Sequence, residues 1–296
     1  MQWDKLKPGD TIGMVSPSHI VEEERCQNII RRINELGFKV KVGNNIYKDT
    51  YGYIASEYER ADDFNQMIYD NDVKMVLFGG GFGAVDILPL IDYNGIKQNP
   101  KIFLSYSYGT SILNAIYAKT GLKTFYGQAP GNFEDLRLYD YKQFSSHFLQ
   151  EYISDFVSNS EWISLCGGVC EGTLIGGYTW NFALLLNTEF LSIDPYKKYV
   201  LFLEDNERFT NIAGVSMLIS HIEQSKLAEN ISGMLFGHYS ENRNPYLLER
   251  LKRFGEKHSI PVAYCDDFGH GKNHAIIPIG VPAQLDTRNN TMTFLD

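Results

Sequence analysis

The amino-acid sequence predicts an α/β protein of two domains, the first built on a parallel sheet and the second a smaller α/β unit. Three observations predict it. Apolar runs without polar alternation, such as "VKMVLF" and "YVLFLE", recur between amphipathic segments, the pattern of strands covered by helices on both faces. The chain has 296 residues, more than one hydrophobic core usually spans. Over residues 130–172 the alternation loosens into "APGNFEDLRLYD" and "CGGVCEG", which puts a boundary near residue 165 and gives domains 1–165 and 166–296.

In chain order, "TIGMVSP" reads as a strand, residues 20–36 as a helix, and "KVKV" as a second strand closed by Gly43. Ser56 and Glu59 make a capping box that opens the helix "SEYERADDFNQMIYD". The strand "VKMVLF" runs into Gly79, Gly80 and Gly81, and "KIFL" into Ser105 ahead of the helix "TSILNAIYAKT". One further helix is expected over 140–157. The second domain reads as "GTLIGGY", the helix "TWNFALLLNT", "YVLFLE", a helix over 211–226, "GMLFG", a helix over 246–257, "PVAYC", and a terminal pair, "PAQLD" and "TMTFL".

Composition removes several classes of function. Lys and Arg number 27 against 36 Asp and Glu, a net charge of −9 with no basic stripe, so nucleic-acid binding is disfavoured. The start "MQWDKLKPGDTIGMV" lacks a basic stretch followed by an apolar one, and no window is apolar for 18 residues, so a cytoplasmic location without membrane insertion is expected. Cys26, Cys166, Cys170 and Cys265 read as unpaired thiols. No cofactor or metal is implied: Cys166 and Cys170 lack zinc spacing, and Gly271 breaks the helix that His270 and His274 would need to share a metal.

In parallel sheets, ligands bind beyond the carboxyl ends of strands, so the residues following each strand carry the chemistry. "GGGFGA" satisfies a dinucleotide fingerprint literally, yet the next strand ends in "KIFLSYS" without the acid that should hold a ribose. What survives is close backbone approach and donors for an anion. Ser105-x-Ser107-x-Gly109 differs from the nucleophile elbow G-x-S-x-G in its first residue only, with Ser107 at the apex; the alternative is an N-cap for the following helix. A nucleophilic serine needs a base and an orienting acid. His270, in the polar loop "DDFGHGKNH", is the better base, with His19 and His238 also following strands. Glu204, ending "YVLFLE", is the candidate acid, or alternatively a local helix cap.

Together these stretches resemble the LD-carboxypeptidase family of serine peptidases, which includes the microcin C immunity peptidases. "GDTIGMVSPS", "GYIASEYERADDFNQMI", the block from "GGGFGAVDILPL" to "TFYGQ", "GTLIGGYTWNFALLLNT", "LFLEDNE" and "FGHGKNHAIIPIGVPAQLD" keep the family's order. The resemblance implies a Rossmann-like N-terminal domain carrying Ser107 as nucleophile, and a C-terminal domain carrying Glu204 and the base His270. It implies oxyanion donors at Tyr108 and at Gly80 or Gly81, an active site between domains, and a homodimer. The substrate implied is a short peptide with a free carboxyl end, such as a murein tetrapeptide, or a peptidyl or aminoacyl nucleotide. A two-domain binder of small ligands without chemistry is the reading outside enzymes.

The chain departs from that pattern at three places near the expected substrate. Ser105-Tyr106-Ser107-Tyr108 stands where relatives commonly have Gly-Tyr-Ser-Asp, Gly79 where an arginine is common, and Tyr178 where an asparagine often follows the glycine pair. These changes suggest an aromatic, cation-poor cleft bordered by Tyr108, Tyr178 and Trp180, with a core anchor as the alternative for Trp180.

Overall fold

The computed structural model describes residues 4–19, 21–150 and 154–295. The chain divides into two compact units, Met1–Tyr152 and Ile153–Asp296.

The first unit alternates strand and helix: β1 (Thr11–Val15), α1 (Glu23–Glu35), β2 (Lys39–Val42), α2 (Glu57–Tyr69), β3 (Val73–Phe78), α3 (Tyr93–Gln98), β4 (Ile102–Ser105), α4 (Thr110–Thr120), β5 (Thr124–Tyr126) and α5 (Leu138–Phe148). Its strands run β5-β4-β3-β1-β2, and each neighbouring pair is parallel. Apart from the exposed Lys74, β3 is buried along its whole length, as an apolar run covered on both faces must be. α1 turns Cys26, Ile29 and Ile33 inward, and α2 begins at the Ser56–Glu59 capping box. The strand order reverses beside β1, so the loops after β1, β3 and β4 gather at the sheet's carboxyl edge, where such folds place ligands.

The second unit comprises β6 (Ile163–Cys166), β7 (Val169–Tyr178), α6 (Thr179–Leu185), β8 (Tyr199–Glu204), α7 (Ile212–Glu223), β9 (Ile231–His238), α8 (Pro245–His258), β10 (Val262–Gly269), β11 (Ile277–Ile279), β12 (Pro282–Asp286) and β13 (Thr291–Phe294). Its seven-stranded sheet is ordered β13-β12-β7-β8-β9-β10-β6. β7 to β10 are parallel, flanked by antiparallel β6 on one side and β12 and β13 on the other.

Three sequence expectations change. A boundary at 165 falls inside β6, which pairs with β10 and so belongs to the second sheet. The helix expected over 140–157 ends at Phe148; residues 151–153 lie outside the described residues, and beyond them Asp155 bridges to Thr293 and the Phe156 N–H donates to the Met292 carbonyl. The strand read as "PVAYC" continues through Asp266 and Asp267 to Gly269, so His270 directly follows a strand end. The four cysteines are free thiols. Among the described residues, no helix is long and apolar enough to cross a membrane.

Candidate active site

In the first unit, β4 delivers a sharp strand-to-helix turn. Ser105 is fully buried at the strand end, and its Oγ donates to the Phe78 carbonyl at 2.7 Å, tying β4 to the end of β3. Tyr106 is extended at φ −149°, and Ser107 then adopts φ +57°, a left-handed conformation that costs a side-chain-bearing residue about 1–3 kcal/mol.

The surroundings hold Ser107 there. Thr110 Oγ1 donates to the Ser107 carbonyl at 2.7 Å, and the Ser107 N–H donates to the Tyr126 hydroxyl at 3.2 Å. Gly109 packs on Ser105 so closely that an added Cβ would lie 2.1 Å from Ser105 Oγ. The glycine of S-x-S-x-G is therefore obligatory, while its first serine is used in the strand-end bond. α4 has Gly109 as its N-cap residue and no side-chain cap, so Ser107 is not a helix cap.

The glycines after β3 approach this turn. A Cβ on Gly80 would lie 2.7 Å from Ser107 Cβ and 3.1 Å from the Tyr108 nitrogen, so the Gly80 backbone lies against the serine and the next amide. His19 lies over the neighbouring glycines, its ring 3.2 Å from the position of a Gly79 Cβ and 2.7 Å from that of Gly81. The space that an arginine at 79 would take is thus bordered by an imidazole. Buried Arg60 fixes the same edge: it donates to the carbonyls of Pro17, Ala55 and Gly83, one from each loop after β1, β2 and β3. The Phe82 ring, largely exposed, tilts against Tyr108 with centroids 5.1 Å apart.

In the second unit, Glu204 ends β8 fully buried, and its Oε2 lies 2.9 Å from His270 Nδ1. The bond leaves Nε2 as the nitrogen that can accept a proton. Gly269, at φ +99°, packs directly on the Glu204 side chain, which brings the next residue onto the carboxylate. The rings of Tyr178 and Phe209 meet the imidazole edge-on at 5.1 Å and 5.2 Å, and Asn206 Nδ2 donates to the His270 carbonyl at 3.2 Å. Burial pulls His270 toward the neutral form, but the Glu204 charge and hydrogen bond, with the Asp205 charge, raise it above the usual histidine value. Asp205 is also fully buried, and burial followed by repulsion from Glu204 pushes it up to about 7.

Of the expected site residues, the first unit brings Gly80, Ser107 and Tyr108 together, with Gly79 and Gly81 beside them under His19; the second brings Glu204, His270 and Tyr178 together. One of the substrate-facing expectations changes: Tyr178 is 1% exposed and packs on His270, so it supports the imidazole instead of lining an open cleft. Trp180 is 40% exposed on α6, which removes the core-anchor alternative. The sequence alone assigned no role to Asp205, Asn206, Arg208 or Phe209, although "DNERF" directly follows a buried strand. Arg208 is an exposed cation on that turn, its N–H donating to Asn206 Oδ1 at 3.0 Å, so this edge is not cation-poor. Among the described residues, no group of three His, Cys, Asp or Glu side chains is placed to hold a metal ion.

Comparison with known proteins places both halves. Residues 12–127 match the LD-carboxypeptidase N-terminal domain and residues 171–285 the LD-carboxypeptidase C-terminal domain. The chain is 30% identical to the probable murein peptide carboxypeptidase of Bacillus subtilis, over 97% of this chain and 92% of that one. It is 28% identical to the microcin C7 self-immunity protein MccF of Escherichia coli, over 98% of this chain and 94% of that one. The structure of MccF in complex with glutamyl sulfamoyl guanosine superimposes with a TM-score of 0.89 at 25% identity, covering 100% of this chain and 98% of that chain.

Proposed function

Because the chain belongs to the LD-carboxypeptidase family, we propose that it is a serine peptidase that cleaves an amide bond in a short peptide with a free carboxyl end, such as a murein tetrapeptide. The observation that carries this reading is Ser107 held at φ +57° on a strand-to-helix turn with Gly80 against it. A residue is kept in so strained a conformation where its side chain must project alone.

On this reading each group has a definite part in the mechanism. Ser107 Oγ attacks the scissile carbonyl carbon while its proton passes to His270 Nε2. Glu204, bonded to Nδ1, fixes that tautomer and stabilises the imidazolium that forms. The carbonyl oxygen becomes an oxyanion, held by the backbone N–H of Tyr108 and one from Gly80 or Gly81. Collapse breaks the C–N bond, and His270 returns its proton to the departing amine, leaving an ester on Ser107. Water, deprotonated by His270, then cleaves that ester and restores the enzyme. Arg208 supplies the cation for a terminal carboxylate. Cytoplasmic action as a homodimer belongs to the same reading, and sedimentation of the purified protein tests the dimer.

A second reading within the same chemistry is hydrolysis of a peptidyl or aminoacyl nucleotide. It is favoured by the exposed Phe82 ring beside Tyr108, a surface on which a planar base can stack. Fluorophosphonate labelling, mapped by mass spectrometry, tests the nucleophile; a hydrolysis screen of murein tetrapeptides against aminoacyl phosphoramidate adenylates tests the substrate. Rapid labelling at Ser107 with turnover of either class supports an enzyme, whereas binding without labelling or turnover supports a two-domain binder.

A further inference from the structure

The second unit carries another histidine–carboxylate pair beside the first. His238 ends β9 buried, with Nδ1 2.9 Å from Asp266 Oδ1, the same separation that joins His270 Nδ1 to Glu204 Oε2. Asp266 is strongly held: the Tyr264 hydroxyl donates to Oδ1 at 2.8 Å and Arg243 Nε to Oδ2 at 3.1 Å. Arg243 itself stands at φ +49°, a strained conformation fixed by this bond and by its donation to the Glu161 carbonyl.

The His238 ring faces the loop that carries His270. In the sheet, His238 is paired with Gly269, and a Cβ on Gly271 would lie 2.6 Å from His238 Cγ. His270 is therefore flanked by two glycines, each lying against a side chain from a different strand, Gly269 against Glu204 and Gly271 against His238. The Asp266 carbonyl also accepts from Asn273 Nδ2 at 3.0 Å, so the loop is tied a second time to the residue that holds the ring.

We propose that His238, oriented by Asp266, is a positioning residue that seats the Gly269–Gly271 segment so that His270 stays on Glu204. The inference rests on His270 being the general base. A general base works only within hydrogen-bond reach of the proton it takes, and a displacement on the order of 1 Å costs about 100-fold in rate. His238 need not change charge for this role: its ring is a wedge, and Asp266 sets its angle.

The test is a set of variants read by steady-state kinetics and by NMR titration of the His270 ring. The groups facing His270 include Glu204 and Asp205, with Tyr178 and Phe209 against its ring; those around His238 include Asp266, Tyr264 and Arg243. His238→Ala should lower kcat by about tenfold or more with KM within about twofold, because substrate contacts remain while the base drifts. Its His270 midpoint should fall toward that of an ordinary histidine as contact with Glu204 loosens. His238→Gln, which keeps an N–H for Asp266, should recover most of kcat.

Gly271→Ala provides an independent arm. Gly271 lacks a positive φ, so an added methyl meets chiefly the His238 ring. Alone it should lower kcat; combined with His238→Ala it should add no further loss. Wild-type kcat and an unmoved His270 titration in His238→Ala, or losses that multiply in the double variant, overturn the proposal. Full activity of His270→Ala would instead overturn the reading of His270 as base.

Discussion

Gly80 lies against Ser107 with no room for a side chain: a Cβ added to it would fall 2.7 Å from Ser107 Cβ and 3.0 Å from the Tyr106 carbonyl. Both are fixed parts of the turn, so in Gly80→Ala the glycine loop must retreat. Moving one oxyanion donor out of line costs about 100- to 1,000-fold in kcat. Gly80→Ala should therefore lose activity on that scale while its melting temperature drops only modestly. Near-normal kcat in a folded Gly80→Ala protein would remove this loop from the oxyanion site.

The two serines of the turn should separate cleanly. Ser107→Ala, and independently His270→Ala, should lower kcat by on the order of 1,000-fold or more and leave the circular-dichroism spectrum unchanged. Ser105→Ala removes the bond to the Phe78 carbonyl, with a longer contact to the Tyr106 carbonyl, worth about 1 kcal/mol of stability, and should stay active. An inactive Ser105→Ala beside an active Ser107→Ala would reassign the nucleophile.

Activity should rise with pH. His270 must be neutral to accept a proton, and its value is raised by Glu204 and Asp205 against the opposing effect of burial, so the midpoint of kcat/KM should lie above the ordinary histidine value of about 6.5. A group raised on folding stabilises the native state below its unfolded value, and that stability is lost as pH climbs through the folded value. A profile flat from pH 5 to 8 would rule out histidine as the base.

Asp205 sharpens the same measurement. Its carboxyl, raised to about 7 by burial and then by Glu204, keeps a proton in the folded protein across a range where the unfolded chain has released it. Stability therefore falls as pH rises from the ordinary aspartate value to about 7. Asp205→Asn should lose that slope in urea unfolding, and the kcat/KM midpoint should move down, since one of the charges lifting His270 is gone. An unchanged midpoint would leave Glu204 as the only carboxylate acting on His270.

The site was legible where it rests on local rules. Ser107 and Gly109 announce a turn after a buried strand, and Glu204 is conspicuous because five apolar residues precede it. Long-range partnerships were not legible. "DDFG" looked like loop because it is polar, yet Asp267 is satisfied by Ser158, Asn159 and Trp162 from a distant segment, and Asp266 by His238, Tyr264 and Arg243. The boundary was misplaced for a similar reason, since β6 is short and half-exposed and only its pairing with β10 assigns it to the second sheet. Tyr178 ends β7 and Trp180 follows two residues later in the first turn of α6, and only packing turns one ring inward and leaves the other exposed.

Substrate choice follows from what borders the nucleophile. Phe82 is 73% exposed on the glycine loop, its ring 5.1 Å from that of Tyr108, the residue after Ser107. A large aromatic ring so exposed contributes little to folding, and stacking a base on such a surface is worth about 1–3 kcal/mol. Arg208 is the opposing feature, an exposed cation on the turn after Glu204 that suits a carboxylate. Phe82→Ala should lower kcat/KM for aminoacyl adenylates by about tenfold and for murein tetrapeptide by less than about threefold. Arg208→Gln should do the reverse, raising KM for the tetrapeptide with little change in kcat, as expected when an interaction made equally in ground and transition states is lost. Equal losses on both substrates in either variant would show that the residue is structural. Efficient tetrapeptide cleavage by the unaltered protein, with no detectable adenylate hydrolysis, would remove stacking from its specificity and leave a carboxylate-directed peptidase.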